Sequence, residues 1–146
     1  MNRASAQFSS NLHELMATIQ QEEEGSTAIA HFEQAGRLNA EEAKQASRLI
    51  QQAWSHPILG NLLKRGYRQG NEKAIIDELG NTWRPDKVLF GPNETIVIDF
   101  KLTATVRESA HVSQIQQYMR FLESMQLPHV KGYLYYFLQN EMEEIQ

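Results

Sequence analysis

Cysteine is absent from the 146 residues. Its absence excludes disulfides, thiolate metal sites and iron–sulfur clusters. No apolar run approaches the roughly 18 residues that a membrane-spanning helix needs. The opening MNRASAQFSS has no apolar core of a secretion signal, so the expected location is the cytoplasm. Internal repeats and low-complexity tracts are also lacking. There is no Walker-type Gly-x-x-x-x-Gly-Lys-Ser/Thr, so the chain carries no motor loop of its own. Charge of one sign is in small excess only, with a formal net value of −4. Phosphate contacts supply most of the affinity of a free-standing nucleic-acid binder, and a mildly acidic chain argues against that class. It does not argue against an enzyme whose nucleic acid is delivered by another module, because a carboxylate metal site adds negative charge when empty.

What is present suits a globular domain. The chain is 41% hydrophobic, and its length fits one domain, 1–146, with a single core. The first half reads as helices. Phe8, Leu12, Leu15, Met16 and Ile19 follow the i, i+3, i+4 spacing of one helix face over Phe8–Gln20, with Ser9 or Ser10 as a cap. A second, short helix is expected after Gly25, opened by Ser26 or Thr27 and closed near Gly36. A third begins at Asn39, with Glu41 and Glu42 in its first turn, and runs to about Trp54. Pro57 sits just inside a fourth, which ends near Gly66.

The second half changes character. Glu72–Leu79 is short and rich in isoleucine, and Glu78–Thr82 reads as a hairpin turn. Trp83–Phe90 and the β-branched Thr95–Leu102 read as strands around the turn Gly91–Glu94. Arg107–Met125 is an amphipathic helix with Val112, Ile115, Met119 and Leu122 on one stripe. Val130–Leu138 is apolar on both faces, as an interior strand is. Helices followed by strand, strand, strand, helix, strand predict an α+β fold with a mixed sheet.

The most informative stretch is TWRPDKVLFGPNETIVIDFKLT, residues 82–103. Asp99 and Lys101 are two apart on a strand and share a face. Ile96, Ile98, Phe100 and Leu102 make the other face apolar, so that face is expected in the core and the Asp99/Lys101 face in an open cleft. Asp86 precedes Asp99 by a span that a hairpin can close. Two carboxylates within a few ångströms repel, and a divalent cation removes the conflict. The plainer alternatives are an Asp99–Lys101 ion pair on an edge strand and a turn residue at Asp86 after Pro85.

These residues resemble the PD-(D/E)XK nuclease signature, and especially its RecB-type branch, where an R-P-D strand precedes a V-I-D-[YF]-K strand. Gln114 and Tyr118 match the Q-x-x-x-Y of that branch on the following helix. His13, in Ser9-Ser10-Asn11-Leu12-His13, matches its G-x-x-x-H with serine for glycine, and His31 competes for the same role. The stretch Gln126–Tyr136 is similar to the last strand of nuclease domains fused to superfamily-one helicases of the AddAB and RecBCD kind. The resemblance implies a restriction-endonuclease-like αβββαβ core with an additional N-terminal helical segment. It also implies a domain cut from a longer helicase–nuclease.

By that resemblance Asp86 and Asp99, with His13 and the Phe100 carbonyl, would hold Mg²⁺ or Mn²⁺. Lys101 would orient or help deprotonate the attacking water, and Gln114 and Tyr118 would position the site or the strand. The implied activity is hydrolysis of single-stranded DNA, as an exonuclease or endonuclease, beside a linked helicase in double-strand-break repair, with no membrane partner. A catalytically silent module of the same fold and a stand-alone restriction or resolvase-type enzyme are the alternatives. Among the other polar groups, Glu22-Glu23-Glu24 reads as a solvated helix end and Lys64–Arg68 as a surface turn. Arg84 could pair with Asp86 or a phosphate. Arg107 and His111 stand where they could face the DNA path.

Overall fold

The computed structural model describes residues 3–71, 75–76, 82–83, 85–103 and 108–146. Residues 78–81 of the expected turn, Arg84 and Arg107 lie outside that set. The chain divides into two compact units, Met1–Arg65 and Gly66–Gln146.

The first unit is helical: α1 (Arg3–Thr18), a single 3-10 turn at Glu22–Glu24, α2 (Gly25–Gln34), α3 (Ala40–Ser55) and α4 (Pro57–Leu63). The helices form where local chemistry asks for them. Phe8, Leu12, Leu15 and Met16 are buried along one stripe of α1, and Ile19 is buried just past its end. Asn39 caps α3 reciprocally, its side chain accepting from the Glu42 N–H while Glu42 accepts from the Asn39 N–H. Two otherwise orphaned donors are satisfied in that way. His56 separates α3 from α4, and its Nδ1 accepts from the backbone of Ile58 and Leu59 at the start of α4. Gly36, at φ 74°, supplies the left-handed residue after α2. The guanidinium of Arg37 then grips α1, donating to both carboxylate oxygens of Glu14 and to Asn11 Oδ1.

The second unit holds β1 (Arg68–Asn71), β2 (Ile75–Ile76), β3 (Thr82–Trp83), β4 (Lys87–Phe90), β5 (Thr95–Lys101), α5 (Ser109–Ser124), β6 (Val130–Tyr136) and β7 (Glu141–Ile145). β2 and β3 pair with each other. The other five strands form one sheet in the order β1-β4-β5-β6-β7. β5 and β6 are parallel and the remaining pairs antiparallel. The fold is therefore α+β with a five-stranded mixed sheet. Parallel neighbours need a crossover, and α5 supplies it.

Two strands depart from the expectation. The run Lys64–Arg68, read as a surface turn, leads into β1 at Arg68, and β7 was not foreseen at all. Both are edge strands, and edges need no apolar alternation. The sequence of β7, Glu-Met-Glu-Glu-Ile, blunts its exposed ladder with charge. The expected continuous strand Trp83–Phe90 is broken, with β3 ending at Trp83 and β4 starting at Lys87.

α5 packs on one face of this sheet. Ile115, Tyr118 and Leu122 of α5 form a core with Val88, Val97, Leu134, Tyr136 and Ile145. Gly132 makes the close approach possible, since a Cβ there would lie 2.5 Å from Ile115 Cγ2 and from Met119 Sδ. Among the described residues no helix is long and apolar enough to cross a membrane.

Candidate active site

The site begins where the β4–β5 ladder stops. Lys87 pairs with Ile98 in antiparallel register. Continued past that pair, the register sets Asp86 opposite Asp99 and Pro85 opposite Phe100. Proline has no N–H to give the ladder, and side chains take over. Phe100 N–H donates to Asp86 Oδ2 at 2.9 Å. Asp86 N–H donates to Asp99 Oδ1 at 3.0 Å. Each carboxylate is thus locked by the backbone of the other strand. On an antiparallel strand the N–H and C=O of one residue leave on the same side. The Phe100 carbonyl therefore faces the position where Pro85 has no donor to offer.

Lys101 stands beside this pair, with Nζ 3.8 Å from Asp99 Oδ2. The same nitrogen donates to Gln114 Oε1 of α5 at 3.1 Å. Asp86, Asp99, Lys101 and Gln114 are thus linked in one chain of contacts. The edge-strand alternative does not hold, because β5 lies between β4 and β6. The open cleft expected over the Asp99/Lys101 face is also corrected. Val97 shares that face and is fully buried beneath α5, and among the described residues of β5 on that face only Lys101 is more than slightly exposed. Crossover geometry is the reason: the helix joining two parallel strands lies on that side of the sheet. Tyr118, expected to position the site or the strand, is 5% exposed within the α5 core.

His111, expected where it could face the DNA path, has two polar neighbours, and Tyr136 and Lys87 are polar side chains that the sequence reading does not single out. Tyr136 is the parallel register partner of Lys101, and its hydroxyl lies 3.5 Å from His111 Nδ1. His111 Nε2 is 3.2 Å from the Glu108 carboxylate. Burial and then the Lys101 charge hold the His111 imidazole below its ordinary pKa, with Glu108 opposing. No signal in VKGYLYYFL points to Tyr136, because parallel register is not written locally. Lys87 is fully buried and donates to Gln69 Oε1 of β1 at 2.8 Å. A buried ammonium needs such a partner.

His13 lies half-buried on α1 in the first unit, between the buried Leu12 and the Arg37-bound Glu14. His31 is exposed on α2 and lines a surface hollow of about 370 Å³ with Glu23, Glu24 and Thr27. Among the described residues no group of three or more His, Asp or Glu side chains is gathered as a metal cage. The second unit therefore offers two carboxylates and one backbone carbonyl. That set fits Mg²⁺, which takes one or two carboxylates and keeps several waters. Every donor in it is a hard oxygen, as Mg²⁺ or Mn²⁺ prefers. Compared with known proteins, the chain matches no family model and no curated protein sequence.

Proposed function

We propose that the second unit carries the centre of a divalent-metal-dependent deoxyribonuclease with a restriction-endonuclease-like core, acting on single-stranded DNA beside a linked helicase. One observation carries the reading: Asp86 and Asp99 are cross-bonded at the end of the β4–β5 ladder, with Lys101 beside them. A structural ion pair explains Asp99 and Lys101 but not the second carboxylate locked against the first.

In this reading Asp86, Asp99 and the Phe100 carbonyl hold Mg²⁺ or Mn²⁺. Bound there, such a cation would supply Lewis acidity toward a scissile phosphate and a water of lowered pKa. Lys101 orients the attacking water and offsets the charge gathering on the phosphate. Gln114 fixes the lysine by accepting one of its three N–H donors. Burial of Asp99, at 3% exposure, keeps bulk water from weakening these interactions.

The test is a cleavage assay on a single-stranded oligonucleotide with Mg²⁺ or Mn²⁺, together with calorimetric Mn²⁺ titration. Lys101→Ala is expected to lose roughly 10²–10⁴-fold in rate while still binding metal. Asp86→Ala is expected to lose both. Wild type that binds no Mn²⁺, or equal Mn²⁺ affinity after Asp86→Ala, overturns the metal site. Undiminished cleavage by Lys101→Ala overturns the role of the lysine. Binding of DNA without cleavage by wild type would favour the silent module instead. His13→Ala, titrated in parallel, tests the ligand role that the sequence resemblance gives to that residue.

A further inference from the structure

The mouth of the site holds one polar group that the chemistry above leaves unused. His111 comes three residues before Gln114 on α5, so both side chains lie on the same helix face. Gln114 reaches Lys101, and His111 reaches Tyr136, the register partner of Lys101. The side chains of His111 and Lys101 are exposed to nearly the same small degree, 15% and 17%. Both side chains are thus more open than Asp99, at 5%.

The two partners of the imidazole differ in kind. Tyr136 is fully buried on β6 and cannot leave. Glu108 precedes α5, its side chain is 46% exposed, and its carboxylate oxygen sits 3.2 Å from Nε2. A half-exposed ion pair is weakly held. A carboxylate oxygen and a phosphodiester oxygen are the same class of acceptor for an imidazole N–H. Glu108 thus occupies the place that a nucleotide phosphate would take.

We propose that His111 is a second phosphate-contacting residue of this site, held by Tyr136 and covered by the Glu108 carboxylate until a single strand of DNA displaces it. The inference rests on the nuclease reading above and extends it from cutting to strand capture. It offers one way for a mildly acidic chain to hold a polyanion: an acid masks the contact and yields to the ligand. A phosphodiester against Lys101 also offsets the charge that, after burial, disfavours the imidazolium. The described groups facing the imidazole are Glu108 before its own helix, Lys101 on β5 and Tyr136 on β6.

The test is a double-mutant cycle on the 146-residue chain. Affinity for a fluorescent oligothymidylate is read by anisotropy with Ca²⁺, a hard cation of the same charge. His111→Ala is expected to weaken binding roughly tenfold or more, the size of a lost charge-assisted hydrogen bond. His111→Gln serves if the alanine variant does not fold, and it is expected to weaken binding in the same direction. Glu108→Gln is expected to tighten binding about threefold in the wild-type background. That gain should vanish when His111 is already replaced, because there is then nothing left to uncover. An equal gain in both backgrounds means only that a negative charge was removed, and overturns the proposal. So does unchanged binding by both His111 variants. In either case wild-type cleavage and metal binding leave the nuclease reading intact. A wild-type chain that binds no DNA with any divalent cation overturns both.

Discussion

Replacing Asp99 in two ways separates what its carboxylate does for the fold from what it does for chemistry. The residue is 3% exposed, and its Oδ1 accepts the Asp86 N–H at 3.0 Å. Asp99→Ala removes that acceptor inside the site. A buried donor left without an acceptor costs about 1–3 kcal/mol. Asp99→Asn keeps an oxygen where Oδ1 stood, but it loses the charge and puts an NH2 donor where Oδ2 stood. The charge lost is one partner of a 3.8 Å contact with Lys101, at the outer limit of ion pairing. Both side chains are largely buried, 17% and 5% exposed, so the ammonium left behind is short of solvent and the loss is felt, although Lys101 retains Gln114. Removing one of two adjacent carboxylates also relieves repulsion, which offsets part of the loss. Both variants carry that loss of charge, and Asp99→Ala also loses the acceptor, so it should unfold about 1–3 kcal/mol below Asp99→Asn. At about 4 °C per kcal/mol, the alanine variant should melt some 4–12 °C below the asparagine one. Both should lose Mn²⁺ affinity and cleavage alike. Metal-free urea and thermal unfolding, paired with calorimetry and the oligonucleotide assay, check all four quantities. An asparagine variant as unstable as the alanine one would show that the charge is structural. One that still binds Mn²⁺ and cuts would refute the assignment of the carboxylate pair.

Two other perturbations follow from the same packing. Gly132→Ala should cost about 1–3 kcal/mol by overpacking, because the new methyl meets the fully buried, β-branched Ile115 as well as the flexible Met119. Adding Met119→Ala should restore only part of the loss in urea unfolding, and a neutral Gly132→Ala would contradict the close seating of α5. A side-chain hydrogen bond from Arg37 holds Glu14 below its ordinary value of 4.5, with burial opposing and charge assisting. The folded value is the lower one, so this contribution is complete above the unfolded glutamate's 4.5 and fades as pH falls through the folded value. Glu14→Gln should flatten that acid limb in unfolding measured between about pH 6 and 3. The change should be modest and salt-sensitive, since the two side chains are 35% and 40% exposed. An unchanged limb would deny the pair any share in acid stability.

Much of this molecule is legible in short stretches of its sequence. Asn39 with Glu42, Pro57, Gly36 and the apolar stripe of α1 mark helix ends and faces, because caps, turns and helical periodicity act over a few residues. The β-branched run Thr95–Leu102 marks a strand for the same reason. Pro85-Asp86 and Asp99-Phe100-Lys101 stand out because proline ends a ladder and because acids are costly in such a strand. The polar edge strands β1 and β7 gave no such signal, since an edge can be built from almost any residues once a neighbour supplies half of its hydrogen bonds.

Sequence by itself determined the helices, the interior strands and the set of acids and lysine worth considering, all through interactions between near neighbours along the chain. Tertiary structure alone decided which strands lie side by side. It put β5 between β4 and β6, locked the two carboxylates across the ladder end, and laid α5 over the face that Val97 shares with Asp99. Pairing between distant segments is settled by packing of the whole sheet. For that reason Tyr136 and His111 come to stand beside Lys101 without any motif to announce them.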